Sequence, residues 1–453
     1  LGTALAGRAR DAREILLRGL ESAAACDPGG DLRSLVARDP ELVHRGLLTV
    51  ILRLVFMGLA EARGLLPVEP PGDAARPGLF ALFERLHADA PAALARRFDA
   101  WPRLLATWRA LSAGRDAPPG PAGEFFDPRR YPFLADDPRA PPIDDLTVHR
   151  VLERLLVHGR ERLSYRDLDV ALLGSLYEAL MGDTVAVLAA PGVCLRPLRV
   201  WVTAAGLRAA PRARRAACLR DEVGLSRAAA ARLADALERV DDDAAALELL
   251  AAARVRGTDI LAAGRLVIQP GPGRRRSRAH YTPRALTESV VRRTLEPLLA
   301  GLGHEPPAAA LLVLRVCDPA MGCGAFLLAV VRVLADQVAA AWLREGEQAG
   351  GVGRPGDLVT HARRLVARRC VHGVDKDACA VELARLSLWL VTRGRGRFAM
   401  PGTGPPKPPG GGGRGGDERR APAPPKTEAT RPAEPAKPAT PAAPAKKPGW
   451  KLF

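Results

Sequence analysis

The chain has 453 residues, a formal charge of +17, 47% apolar and 26% charged residues. That is length enough for two or three domains with a sizeable core. No uncharged run of 18 or more apolar residues occurs, so no membrane span is expected. The first residues lack the charged-then-apolar order of a signal peptide and an initiator Met, which suggests a processed or partial product.

Composition tempers the charge. All seven lysines lie at or after Lys376, the other 60 basic residues are Arg, and there is no Asn. Ala, Arg, Gly and Pro dominate, as in a GC-rich coding sequence, so arginine content alone says little about nucleic acid. The seven cysteines are scattered, odd in number and without a Cys-x-x-Cys pair. Neither a disulfide framework nor a zinc site is expected, and a reducing cytoplasm is the default.

Residues 1–269 read as a helical N-terminal domain. Leu42 to Gly64 is an apolar, Leu-rich helix with a glycine stop. Val148–Val157, Leu168–Leu180 and Ser226–Val255 show apolar residues at helical spacing. Pro67–Pro77 and Gly114–Pro142 read as loops. Pro270–Arg278 is a basic loop holding Arg274-Arg275-Arg276, which suits either phosphate contact or plain solvation.

Residues 270–392 change pattern. Thr282–Leu299 reads as a helix, with Thr282 as a cap and Pro283 at its first position. Leu311–Cys317 is an apolar, β-branched run that predicts a buried strand. A helix follows at Ala325–Val338, a Gly-rich loop at Glu345–Asp357, a second strand at Cys370–Val374 and a helix at Ala378–Leu390. Strand, glycine turn, helix, strand is a βαβ unit with parallel strands. From residue 393 on, Pro and Gly crowd the sequence, and the segment carries +9 of the formal charge. Too little apolar area remains there to offset chain entropy, so 393–453 reads as a disordered basic tail.

The chemistry concentrates in Cys317-Asp318-Pro319-Ala320-Met321-Gly322-Cys323-Gly324-Ala325-Phe326, between the first strand and its helix. Gly322 and Gly324 permit positive φ and close ligand approach. The helix start presents free N–H groups to a polar or anionic group. A dinucleotide turn would need a third glycine where Leu327 stands, and a phosphate loop would end in Gly-Lys-Ser/Thr. One acid and two glycines suit a ligand with an amino acid end instead. His372-Gly373-Val374-Asp375 closes the second strand, where an acid can take the two hydroxyls of a ribose. Ala279-His280-Tyr281-Thr282-Pro283 is a helix start.

Together these segments resemble the adenine-N6 DNA methyltransferases of the γ order, more narrowly the type IIG restriction–modification and BREX-type phage-defence enzymes. His280 to Pro283 resembles that family's first motif, and Asp318 to Phe326 its Asp-Pro-Ala-x-Gly-x-Gly-Ala-Phe loop. Val371 to Leu390 resembles its ribose-binding segment. Leu59–Pro67 and Leu173-Gly174-Ser175-Leu176-Tyr177-Glu178 look like recurring pieces of its helical region. The resemblance implies a helical domain followed by a partial Rossmann-like methyltransferase domain. It implies S-adenosyl-L-methionine as cofactor, held by Tyr281, Thr282, Asp318, Ala320, Gly322, Gly324, Phe326 and Asp375. Double-stranded DNA is the implied partner, with no membrane.

The chain departs from the family at its catalytic motif. Methylating an adenine amine needs a flipped base, a side-chain and a backbone oxygen to accept from the amine, and a stacking ring. The family supplies Asn/Asp/Ser-Pro-Pro-aromatic. This sequence has no Asn, and none of its Asp-Pro pairs continues into Pro-aromatic. No catalytic residue is therefore expected. The expectation is a chain that stops partway through the fold and is inactive alone, with a second chain as one way to complete it. The alternatives are a non-catalytic DNA-binding or scaffold subunit and a frame-shifted remnant. A Lys-containing nuclease element and a Pro-Cys nucleophile are both absent from residues 1–375.

Overall fold

A computed structural model describes residues 2–26, 32–66, 78–113, 122–135, 143–271, 282, 284–346, 355–393 and 451–452. The chain is mostly helical, with small sheets. The order begins α1 (Gly2–Cys26), α2 (Leu32–Arg38), α3 (Pro40–Glu61), α4 (Leu79–His87), α5 (Pro91–Leu94), α6 (Ala100–Ser112) and α7 (Ala122–Phe126). Two 3-10 turns, at Pro128–Arg130 and Pro132–Leu134, lead to α8 (Asp145–Leu156).

α3 is the axis of the helical region. Asp39 caps it by accepting from the Leu42 N–H (2.9 Å), and Pro40 fills its first turn. Every residue from Gly46 to Ala60 is buried. It ends where Gly64, at φ 65°, turns the chain and the Leu65 N–H returns to the Ala60 carbonyl (2.9 Å). Inside lies a charged cluster. Arg13, fully buried, pairs with Asp183 and donates to the Leu180 carbonyl (3.2 Å).

A mixed segment follows: β1 (Val157–His158), β2 (Glu161–Arg162), α9 (Leu172–Leu180), β3 (Asp183–Val187), β4 (Gly192–Leu195), β5 (Val200–Thr203), α10 (Ala204–Ala209), α11 (Arg212–Asp221), α12 (Arg227–Glu238), α13 (Asp243–Ala251) and β6 (Leu266–Pro270). β3 pairs antiparallel with β6, Asp183 opposite Pro270 and Val187 opposite Leu266. β4 pairs antiparallel with β5. The region is mostly helical as expected, but the sequence reading placed none of these strands in it. Runs as short as Val200-Trp201-Val202, apolar and buried throughout, are hard to see against Ala-rich neighbours. The expected helix over 226–255 is broken, because Asp242 caps a new helix at the Ala245 N–H (2.7 Å). The expected loop 114–142 contains α7 and both 3-10 turns, held by buried Arg53 donating to the Phe125 carbonyl (2.7 and 2.9 Å).

The last part comprises α14 (Arg284–Gly301), α15 (Ala308–Leu311), β7 (Val316–Asp318), α16 (Ala325–Glu345), α17 (Pro355–Arg369), β8 (Val371–Asp375), α18 (Ala378–Thr392) and β9 (Lys451–Leu452). β7 and β8 are parallel, with Val316 opposite Val371 and Asp318 opposite Gly373. β9 lies antiparallel on the other side of β8. The first strand is shorter than expected, because Ala308–Leu311 forms a helical turn after Pro307 whose Ala308 N–H donates to Glu345 (2.8 Å), and it is not buried as expected: Val316 and Asp318 are half-buried and Cys317 is exposed. α17 occupies part of the expected Gly-rich loop, and residues 347–354 lie outside the described residues, as do 67–77, 272–280 and the expected tail except Arg393 and β9.

One hydrophobic cluster runs from Leu5 to Val391 and so includes residues on both sides of the 269/270 boundary. A second gathers Val193 to Leu250. α3 and α16, whose apolar runs are interrupted by charged residues such as Arg53 and Arg332, are long and apolar enough to cross a membrane by length and composition alone. In this fold they are core helices, with 89% and 67% of their apolar windows buried.

Candidate functional site

The parallel register brings the carboxyl ends of β7 and β8 side by side, and the turn 319–324 crosses between them. Four backbone donors fix it, one of them the Gly324 N–H on the Met321 carbonyl (2.8 Å). The Met321 N–H reaches the Val374 carbonyl (3.1 Å), and the Gly322 N–H reaches Asp375 Oδ2 (2.9 Å). The Ala320 N–H folds back on Asp318 Oδ1 (3.1 Å). Asp375 Oδ1 also accepts from the Asp377 N–H (2.8 Å), and Asp377 caps α18 through the Cys379 N–H (3.0 Å). Asp375 is thus oriented by two backbone bonds. Its carboxylate still has lone pairs to spare, since two oxygens offer about four acceptor positions.

The two glycines of the turn do different work. Gly322 has φ 51°, and a Cβ there would meet nothing closer than Glu178 Oε1 at 3.9 Å. Its α-carbon borders open space. Gly324, at φ 80°, precedes α16, and a Cβ would come within 2.9 Å of Ala384 Cβ on α18. That glycine lets two helices approach. Gly373 serves packing too, since a side chain there would overlap Met321 and Leu327.

A third segment closes the site. α9 lays Gly174 against Cys323, where a Cβ would stand 2.7 Å from Cys323 Cβ. Tyr177 donates its hydroxyl to Asp377 Oδ2. Glu178 projects toward Gly322; its buried Oε2 has no hydrogen-bond partner among the described residues, and burial raises its carboxyl above the usual range. Burial, then the nearby acids led by Glu178, raises the Cys323 thiol well above its ordinary value, and Cys379 is pushed up to about 12 by burial and then Asp377. Neither thiol is a ready nucleophile at neutral pH. Behind the turn, Arg130 pairs with buried Glu382 (2.6 Å), and Trp389 packs on Phe56 with ring centroids 5.8 Å apart.

Of the eight residues singled out from the sequence, Asp318, Ala320, Gly322, Gly324 and Asp375 meet at this turn. Ala320 is exposed; Asp318, Gly322 and Asp375 are half-buried. Phe326 is half-buried and packs on the main core. Thr282 is half-buried, two residues before α14. Tyr281 lies outside the described residues.

Tyr177, Glu178 and Asp377 were not among the expected site residues. One signal was available: an isolated glycine inside a helix costs about 1 kcal/mol against alanine, and Gly174 therefore marks a close approach. Among the described residues, no group of three or more His, Cys, Asp and Glu could hold a metal ion. No protein-family model, curated protein or solved structure matches this chain.

Proposed function

We propose that the turn between β7 and β8 is the S-adenosylmethionine-binding turn of a Rossmann-like adenine-N6 DNA methyltransferase unit, and that this chain alone holds cofactor without methylating DNA. The observation that carries the reading is the 2.9 Å bond from the Gly322 N–H to Asp375 Oδ2, which ties the two strand ends into one cradle.

The residues present fit such a ligand. Asp375 faces its site with spare acceptor capacity for two ribose hydroxyls. The bare α-carbon of Gly322 leaves room for a ligand against the backbone. Asp318 and the unpartnered Oε2 of Glu178 supply negative charge for an ammonium. When bound, the cofactor supplies an electrophilic methyl on its sulfonium. The chain's own part is to orient and position. It offers no Asn or Asp followed by Pro-Pro-aromatic to hold a flipped adenine, so transfer to double-stranded DNA would require those groups from elsewhere, for instance a second chain.

Calorimetric titration with S-adenosylhomocysteine tests the cofactor half. Binding is expected, and Asp375→Ala is expected to abolish it with an unchanged circular dichroism spectrum. No binding, or binding indifferent to Asp375, rejects the assignment. A tritiated-methyl assay on mixed-sequence duplex tests the other half: clear incorporation by this chain alone refutes its inactivity. The missing catalytic motif also favours a second reading, a non-catalytic DNA-binding subunit. Salt-dependent DNA binding without cofactor binding would select it.

A further inference from the structure

A recess of about 940 Å³ opens between the Ala62–Gly64 turn and residues 166–170 on one side and α14, α16, α17 and the end of α18 on the other. It is separate from the β7–β8 turn. Both α16 and α18 start at the strand ends, but Arg332 sits seven residues into α16 and Leu390 twelve into α18, roughly 10 and 18 Å along those helices at 1.5 Å per residue.

Seven arginines line the recess against four acids. Arg284 and Arg332 are committed: both reach Asp169, at 3.0 and 2.7 Å, and both lie beside Glu288. Arg363 is not. Its Nε is buried with no acceptor among the described residues. Burial lowers its pKa, and the neighbouring Arg332 and Arg284 lower it further, with Asp336 the opposing charge. Arg393, over the Trp389 ring at 5.3 Å, brings another cation to the rim, and Arg292 another from α14. Cations packed this way, with a donor left unused, are an arrangement that an anion would complete.

We propose that this recess binds a compact phosphorylated anion, a polyphosphate chain free or carried on a nucleotide, with Arg363 and Arg292 as its principal ligands. A guanidinium fork matches phosphate oxygens in a bidentate way. The excess of three positive charges calls for a multiply charged ligand rather than one carboxylate. The volume of this open recess lies in the small-molecule range. An extended DNA strand would have to run its phosphates past Asp167 and Asp336 as well, which favours the compact ligand. Because the walls come from both the helical region and the βα unit, an occupant clamps the two together.

The test uses the full chain, with sodium tripolyphosphate titrated by calorimetry and by thermal unfolding at matched ionic strength. Tripolyphosphate is expected to bind and raise the Tm, and sulfate to do so far less. Arg363→Gln and Arg292→Gln are each expected to weaken binding at least tenfold, while Asp375→Ala leaves it unchanged, so that failure here is distinct from failure of the cofactor reading. ATP binding tighter than tripolyphosphate identifies a nucleotide source, and equal affinity identifies the phosphate chain alone; either supports the recess. No binding of either, equal affinity in both arginine variants, or duplex DNA binding that tripolyphosphate does not displace overturns the proposal. Urea midpoints of the two variants separate lost binding from lost folding.

Discussion

The two glycines of the turn, separated only by Cys323, should respond differently to the same substitution. In Gly324→Ala the left-handed conformation costs about 1–2 kcal/mol. The new Cβ also stands 2.9 Å from Ala384 Cβ, an atom that is fully buried on α18. Relieving that contact moves the turn or the helix, an overpacking cost of about 1–3 kcal/mol. A stiffer unfolded chain returns about 0.4–1 kcal/mol. The net expectation is a loss of about 1–4.5 kcal/mol. Gly322→Ala carries the same φ cost and the same return but no contact nearer than 3.9 Å, so its net cost is about 0–1.5 kcal/mol. Its Cβ instead projects where a ligand would meet the backbone.

Urea denaturation read by circular dichroism, with calorimetric titration of S-adenosylhomocysteine, separates the two. Gly322→Ala should unfold near the parent midpoint and lose binding at least tenfold, and Gly324→Ala should unfold early. Combining Gly324→Ala with Ala384→Gly should recover the steric part, a coupling of about 1–3 kcal/mol in the double-mutant cycle. Equal stability losses for the two single variants, or full binding by Gly322→Ala, would refute the division of labour.

Three further outcomes follow from the buried polar groups. Asp183→Ala leaves the fully buried Arg13 guanidinium without its counter-charge and should cost about 3–5 kcal/mol in urea unfolding. Burial and then Arg13 depress His44 from 6.5 to about 3, so it stays neutral in the folded chain while the unfolded chain takes up a proton below about 6.5. Its contribution is whole above that pH and falls as the pH drops from about 6.5 toward 3, by up to about 1.4 kcal/mol per unit; His44→Gln should flatten that slope in a pH series of melts. Tyr177→Phe removes the hydroxyl that holds Asp377 and should cost about 1–2 kcal/mol, with a measurable loss of cofactor affinity.

Elements with a strong local signature were legible in the sequence. α3, α16 and α18 carry long apolar stretches bounded by a cap or a glycine, and their observed limits fall close to the expected ones at the capped ends. α16 runs seven residues further than expected, because Ala339 to Trp342 continues the buried stripe. The failures share a physical origin. β3 finds its partner β6 some eighty residues on, and neither strand has enough period-two alternation to announce itself among helix-forming Ala and Leu. Asp241-Asp242-Asp243 falls inside the expected helix over 226–255, whereas its middle residue caps a separate helix.

The site divides along the same line. Asp318 to Gly324 and Asp375 carry their chemistry within two short segments, and the parallel register delivers them to one edge. The α9 contribution was invisible as chemistry because Tyr177 and Asp377 are 200 positions apart and meet only after the helical region has packed on the turn. That meeting has a consequence for how the site is held. Gly174 against Cys323, Tyr177 on Asp377 and Arg130 on Glu382 all run from the helical region into the βα unit. The three contacts lie on the turn itself, on the cap of α18 and on the helix behind it. The orientation of Asp375 therefore depends on residues before 269 as well as after 270, and the helical region acts as the back wall of the candidate site.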